Sequence, residues 1–223
     1  SRELMASSKW LRKMILGSMR GCGDDIIDKA VFDSTMEEVN GAEGWLEGPY
    51  DPDELTKILG SFWIPSRRFG VAQGGRVRNV DDFSESLINS ACGLTEKVSS
   101  AGVDEIVALV RLWVLALRGG GKVVVPKSDG TELRGTLHHE WKTGDVDELL
   151  GRLLDLKSAY KQLARRKSHD FVSVIAVWDP VAQDTKLFIQ NTLAFGQSAA
   201  VNGFCRMAKA LKVCATRLLD LPM

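Results

Sequence analysis

The sequence has few cysteines, and they form no pattern typical of a metal site or of a disulfide framework. The four cysteines, Cys22, Cys92, Cys205 and Cys214, are scattered without a Cys-x-x-Cys pair. No histidine stands at metal-ligand spacing from any of them. This favours reduced, buried thiols in a protein of the cell interior, either the cytoplasm or the nucleus.

Long hydrophobic runs are also missing. The longest, from Ile106 to Leu117, is interrupted by Arg111 and is shorter than the roughly 20 residues that span a bilayer. The first twenty residues form a basic amphipathic stretch without a cleavage site, so no secretory signal is predicted. We therefore expect no membrane partner.

The chain has no net charge, because 29 basic residues balance 29 acidic ones. A nucleic-acid site must then come from local clustering. Eleven acidic residues lie between Asp24 and Glu54, where Lys29 is the only base. Two basic sets follow: Arg67, Arg68, Arg76 and Arg78, and then Lys157, Lys161, Arg165, Arg166 and Lys167. Such runs are also typical of simple solvated faces.

A hydrophobic content of 44% is enough for a core, and residue patterns predict its elements. Helices are predicted at 24–39, at 53–59 after the cap Asp51 and Pro52, at 103–117 as a buried helix ended by Gly119, and at 199–218. Strands are predicted at 153–156, 171–178 and 187–193. Hairpins are predicted at 69–83 around Gly74 and Gly75, and at 122–138.

Asp155 is a candidate functional carboxylate on the residue pattern alone. Asp155 stands at the end of a short apolar segment, where an ionised group is costly unless it faces a cleft or a cation. Magnesium is the usual partner of a carboxylate beside phosphates. Alternatively, Asp155 caps a helical turn that begins near Ser158.

Three segments resemble motifs of reverse transcriptases, in the order that this family has them. Leu154–Leu163 (Leu-Asp-Leu-Lys-Ser-Ala-Tyr-Lys-Gln-Leu) resembles the palm motif in which an aspartate ends a strand and Ala-Tyr or Ala-Phe follows. Leu193–Ala200 (Leu-Ala-Phe-Gly-Gln-Ser-Ala-Ala) resembles the next motif, and Arg76–Phe83 (Arg-Val-Arg-Asn-Val-Asp-Asp-Phe) resembles a strand of the fingers. The resemblance covers about residues 61–217 and is closest to the pol genes of retrotransposons.

The resemblance implies an α+β fold, with the fingers and an incomplete palm of a right-hand polymerase. It implies an antiparallel sheet with packed helices. The expected divisions are a helical N-terminal lead at 1–60, fingers at 61–150, and a partial palm at 151–223. A fingers hairpin is expected as an insertion in the palm at about 168–192.

The resemblance also implies roles for single residues. Asp155 is the expected catalytic residue and ligand of two Mg²⁺ (or Mn²⁺) ions, with the carbonyl of Leu156 touching one of them. The expected nucleotide-binding residues are Arg78 on the triphosphate, Ala159 and Tyr160 at the sugar, and Phe195 and Gly196 beneath nucleotide and template. Arg67, Arg68 and Arg76, with 165–167, are expected along an RNA or DNA template with its primer, and dNTP is the expected substrate.

Each role has a plainer alternative. Tyr160 is also placed to extend an apolar stripe with Leu163, and Arg78 to form a surface ion pair with Asp81 or Asp82. Gly196 is also suited to a simple turn between a strand and a helix. A plain α/β domain with accidental motif matches is the corresponding alternative for the whole chain.

The sequence departs from the family in two places. Ala194 stands where the family usually has proline. No aromatic-x-Asp-Asp segment follows the last predicted helix, and one carboxylate is too few for two magnesium ions. With a first residue, Ser1, that is not methionine, this suggests a fragment, and the 223-residue chain is expected to be inactive as a polymerase. The rival reading is a non-catalytic retroelement remnant that acts as a nucleic-acid-binding or interaction module.

Overall fold

A computed structural model describes residues 2–93, 103–139 and 157–218, and the chain divides into two compact units. The first comprises Ser1–Val98 and Lys157–Met223, and the second comprises Ser99–Leu156. The helices are α1 (Arg2–Ser18), α2 (Asp25–Asn40), α3 (Pro52–Leu59), α4 (Ile88–Ala91), α5 (Val103–Arg118) and α6 (Ser198–Leu218). Among the described residues, 3₁₀ helices span Ala159–Gln162 and Lys167–Val172.

Seven strands are present in the described residues, in two sheets. They are β1 (Leu46–Tyr50), β2 (Pro65–Gln73), β3 (Arg76–Asp82), β4 (Lys122–Pro126), β5 (Glu132–Thr136), β6 (Val174–Asp179) and β7 (Asp184–Gln190). The first unit holds a five-stranded sheet in the order β1-β7-β6-β2-β3, and the second holds the pair β4-β5. The fold is therefore mixed α and β, as predicted. The strand predicted at 153–156 lies outside the described residues.

The five-stranded sheet is mixed, so the prediction of an antiparallel sheet is wrong for one pair. Strands β2 and β6 run parallel, with Pro65 opposite Val174, whereas the other pairs are antiparallel. A parallel pair needs a long crossover connection, and the chain between β3 and β6, which includes the second unit, supplies it. The predicted helical lead also contributes strand β1, which no sequence signal indicated.

Helices cover both faces of this sheet. Alternate residues of β6 divide between the two sides, since side chains of a strand point to opposite faces. Ile175 and Val177 pack in a cluster with Val31 of α2. Val174 and Ala176 pack in another cluster with Ile15 of α1. The sheet is thus the middle layer of the first unit. Helix α2 lies on the face to which Ile175 and Val177 point.

Local sequence signals explain most element boundaries. Asp24 caps α2 by accepting hydrogen bonds from the backbone N–H groups of Ile26 and Ile27. Asp51 forms a capping box with Glu54 at the start of α3, where Pro52 is the first helical residue. Both helix predictions, and the one for α6, are confirmed.

Glycine-centred turns connect both predicted hairpins. Gly74 and Gly75, both with positive φ, join β2 to β3. Strands β4 and β5 pair in the second unit around a turn that contains Gly130 with positive φ. The strands predicted at 171–178 and 187–193 correspond to β6 and β7, which are joined at 180–183. The hairpin predictions are therefore confirmed.

The prediction that helix α5 is buried is wrong. Val103, Ile106 and Leu109 are all at least 60% exposed, and Ala116 alone is buried among the residues of this helix. A helix that is apolar on most faces needs other elements to cover it. In the described part of its unit, the two-stranded sheet β4-β5 is too small for that.

The four cysteines are free thiols, but their predicted burial is wrong for two of them. Cys22 and Cys214 are exposed, while Cys92 and Cys205 are partly buried. Partial desolvation, together with the hydrogen bond and charge of the neighbouring Asp28 carboxylate, raises the pKa of the Cys22 thiol. Separately, none of the helices within the described ranges has the length and apolar character that crossing a membrane requires.

Candidate functional site

Aromatic side chains from two of the predicted motifs meet in the first unit. Tyr160 lies in the 3₁₀ helix Ala159–Gln162, and its ring contacts Phe195 edge-on at a centroid distance of 5.7 Å. It also contacts Phe204 of α6 at 5.1 Å. The Phe195 side chain is 70% exposed. The three rings form an aromatic cluster, in which Tyr160 is half-buried and Phe195 is largely exposed.

Gly196 stands where the chain turns towards α6 and passes close to strand β3. Its φ is +92°, a conformation that side chains rarely adopt. A Cβ at this position would lie 3.1 Å from the backbone carbonyl oxygen of Asp81. Glycine is needed for both reasons, so the plain turn alternative accounts for it. The turn nevertheless places Phe195 beside the end of the strand that carries Arg78.

Asn89 holds this turn in place, and no pattern in the sequence indicated this role. Its side-chain amide nitrogen donates to the Gly196 carbonyl at 2.9 Å, and its amide oxygen accepts from the backbone N–H of Ser198 at 2.8 Å. Its own backbone N–H donates to the Phe83 carbonyl. One short helix, α4, therefore links the end of β3 to the turn before α6.

The tip of the β2-β3 hairpin carries two exposed arginines. Arg76 and Arg78 are exposed, and their side chains have no hydrogen bond or ion pair within the described parts of the chain. Arg78 lies three residues before Asp81 on β3, which is about 10 Å along the strand. Its side chain points to the opposite face of the sheet from that of Asp81, because the spacing is odd. The structure therefore places Arg78 on the strand next to Gly196 without bringing it to the aromatic cluster.

The alternative in which Arg78 pairs with Asp81 or Asp82 is wrong. Asp81 binds Arg68, with nitrogen-to-oxygen distances of 2.6 Å and 3.0 Å. Asp82 accepts hydrogen bonds from the backbone N–H groups of Ser84 and Glu85. Both carboxylates thus have other partners, which leaves the Arg78 guanidinium available.

Arg68 is a structural residue, so its predicted template contact is wrong. Its side chain is 2% exposed and also binds Glu38 at 3.3 Å. Burial by itself lowers the pKa of Arg68, but the charges and hydrogen bonds of Asp81 and then Glu38 more than offset this, and the pKa lies above its usual value. The sequence could not distinguish this buried arginine from its exposed neighbours. Arg67 is half-buried and pairs with Glu85 through two hydrogen bonds of 3.0 Å.

The second basic set is also divided by the fold. The Arg165 guanidinium is buried, pairs with Asp170 and donates to the Gln190 carbonyl at 2.6 Å. Arg166 and Lys167 are exposed. The expectation of a template contact is therefore wrong for Arg165 and stays a prediction for its two neighbours.

The residues that the resemblance assigns to metal binding, Asp155 and Leu156, lie outside the described residues. Within those residues, no group of three or more His, Cys, Asp or Glu side chains is arranged to hold a metal ion. Magnesium or manganese binding stays a prediction, and it rests on the motif around Asp155.

Comparison with protein-family models gives no match, and a search of the curated proteins gives none either. The case for a function therefore rests on the motifs and on how the fold arranges their residues.

Proposed function

We propose that this chain is the fingers and the first part of the palm of an RNA-directed DNA polymerase, the nucleotide-facing part of a reverse transcriptase. The partners of this part are a primer paired to an RNA or DNA template and an incoming dNTP. The parent enzyme adds the dNTP to the 3′-hydroxyl of the primer. In the proposal, the 223-residue chain binds these partners.

The contact between Tyr160 and Phe195 carries the proposal. The two residues belong to separate motifs of the resemblance, and a strand hairpin lies between them in the sequence. The segments before and after this hairpin pair at Ala164 and Thr192, and the Leu193 N–H donates to the Leu163 carbonyl, so the fold brings the two residues to neighbouring positions. Packing of Tyr160 against Phe204 is explained by core formation alone, but the exposed ring of Phe195 is not.

The aromatic cluster and the hairpin arginines lie apart, and each has a chemical character that suits a nucleic acid. Aromatic faces bind bases by stacking, which contributes about 1–3 kcal/mol per base. A planar guanidinium binds phosphate oxygens through two parallel hydrogen bonds. Phe195 offers an accessible ring, and Arg76 and Arg78 offer guanidinium groups without partners in the described residues. In the proposal, Tyr160 lies beneath the sugar and disfavours a 2′-hydroxyl there.

Replacing the two hairpin arginines together (Arg76→Gln with Arg78→Gln) is expected to weaken primer–template binding to a similar degree for every sequence. Each guanidinium that neutralises a phosphate releases counterions. The slope of log affinity against log salt concentration should therefore become shallower by about two. Fluorescence anisotropy of a labelled primer–template over a range of salt concentrations measures both quantities.

The matched control replaces two exposed lysines that already have acidic partners. Lys29 pairs with Asp33, and Lys127 with Asp129. The double variant Lys29→Gln with Lys127→Gln removes the same charge and is expected to keep the wild-type salt slope. An equal loss in both double variants would show that net charge, and not the hairpin, governs binding.

A further inference from the structure

Glu38, in the last turn of α2, joins two cations that come from distant parts of the chain. One carboxylate oxygen lies 3.3 Å from a terminal nitrogen of Arg68 on β2. The other accepts from the Lys161 ammonium group at 2.5 Å. The Glu38 side chain is 11% exposed. A largely buried carboxylate thus bridges the sheet and the 3₁₀ helix that carries Tyr160.

The helix itself does not explain a carboxylate at this place. Helix C-termini carry partial negative charge and favour cations, and α2 has no basic residue in its last turn. Glu38 is therefore unfavourable to α2 by itself. Its two cationic partners offset this unfavourable interaction with the helix end. This indicates that a glutamate stands at this position because of its ion pairs and not because of the helix.

The contacts on either side of Glu38 both lead to the aromatic cluster. On one side, Arg68 binds Asp81, whose backbone carbonyl oxygen lies 3.1 Å from the place that a Cβ at Gly196 would occupy. On the other side, Lys161 is the residue after Tyr160, and its ammonium group lies 4.8 Å above the ring of Trp45. The ring contact between Tyr160 and Phe195, the residue before Gly196, connects the two sides. In the part of the chain that the structure describes, Glu38 is a residue of α2 that binds both Arg68 on the strand side and Lys161 on the tyrosine side.

We propose that Glu38 is a positioning residue that fixes Tyr160 relative to the turn at Gly196, without touching the nucleotide. This inference rests on the proposed function for the role of Tyr160, but the position of the ring can be measured independently. A lysine side chain is flexible and loses its orientation without a partner. The ion pair with Glu38 and the face of Trp45 hold Lys161, and Lys161 holds the 3₁₀ helix against α2.

The chain suits a direct spectroscopic test because it contains two tyrosines, Tyr50 and Tyr160. Incorporating 3-fluorotyrosine gives one ¹⁹F resonance for each, and Tyr50→Phe assigns them. In Glu38→Gln, we expect the Tyr160 resonance to shift or broaden while the Tyr50 resonance stays. The control is Glu37→Gln, the same change at an exposed neighbour on the same helix, which should leave both resonances in place. An unchanged Tyr160 resonance in Glu38→Gln would overturn the proposal.

A second pair of variants keeps the test valid if Glu38→Gln disturbs the whole fold and moves both resonances. Lys161→Met removes the bridge but leaves the Arg68, Asp81 and Glu38 contacts intact, and Lys161→Arg keeps a cation for Glu38. The proposal requires the wild-type Tyr160 resonance in Lys161→Arg and a displaced one in Lys161→Met. Identical spectra for the two variants would contradict it.

Titration of the labelled chain with primer–template separates this proposal from the proposed function. If the function is right, primer–template shifts the Tyr160 resonance of the wild-type chain. The concentration that gives half of this shift should then rise by about 2-fold to about 30-fold in Glu38→Gln, the range typical of residues that act through others. If the wild-type resonance does not respond, the proposed function fails, while the spectra of the free variants still decide the role of Glu38. A response with the same midpoint in wild type and Glu38→Gln would contradict the positioning role.

Discussion

Arg68→Met is expected to lower the free energy of unfolding by roughly 3–5 kcal/mol, the usual cost of removing one partner from a buried ion pair. The variant leaves the carboxylates of Asp81 and Glu38 largely buried, with 8% and 11% of their side chains exposed. Arg68 also lies within hydrogen-bond distance of Thr35, at 3.4 Å. Urea unfolding followed by circular dichroism measures the loss.

The neighbouring residue is the matched control for this prediction. Arg67→Met breaks the pair with Glu85, in which the two side chains are 24% and 29% exposed, so we expect a loss of about 1 kcal/mol or less. Replacing both Arg68 and Asp81 by apolar residues should cost less than Arg68→Met alone, because one buried charge is no longer left unpaired. Similar losses for Arg67→Met and Arg68→Met would contradict the structural role of Arg68.

Asn89→Asp is expected to lower the free energy of unfolding by about 0.5–1.5 kcal/mol, the usual net contribution of one hydrogen bond. The change replaces the donor that faces the Gly196 carbonyl at 2.9 Å with an oxygen, so two acceptors face each other. The bond from the Ser198 N–H is still possible. We expect the turn with Phe195 to move and primer–template binding to weaken, as measured by thermal unfolding and by anisotropy.

A second asparagine provides the control for Asn89→Asp. The side-chain nitrogen of Asn79 donates to the Ser34 hydroxyl at 3.1 Å. A hydroxyl can reverse its role and donate to a carboxylate, so Asn79→Asp should be much less harmful. An equal loss at the two positions would show that the added charge, not the lost donor to Gly196, causes the effect.

The elements that the sequence predicted well are those with local physical causes. The cap at Asp24 and the capping box at Asp51 define helix starts within a few residues, and Gly74 with Gly75 permits the hairpin turn. Strand β1 was missed because Leu-Glu-Gly-Pro-Tyr contains a glycine and a proline and has no clear alternation. The parallel pairing of β2 with β6 depends on residues far apart in the chain, which local patterns do not encode.

The candidate site shows the same limit. Motif resemblance predicted Tyr160, Phe195 and Gly196, and these lie together. It did not predict Asn89 or Glu38, because their roles depend on side-chain contacts between distant segments. Nor could a charge run separate the buried Arg68 from the exposed Arg76, since both belong to the same hairpin. Arg68 lies on the face of the sheet that α2 covers, where it binds Glu38, and Arg76 does not.

The most direct test of the central claim is to find which residues touch the template. A primer–template with 5-iodo-2′-deoxyuridine at the first unpaired template position is bound to the chain, irradiated and mapped by mass spectrometry. The account predicts cross-links at Phe195 or Tyr160. Binding without them, with cross-links instead at other exposed aromatic residues such as Trp10 and Phe62, would contradict a nucleotide-facing role and favour a non-catalytic nucleic-acid-binding module.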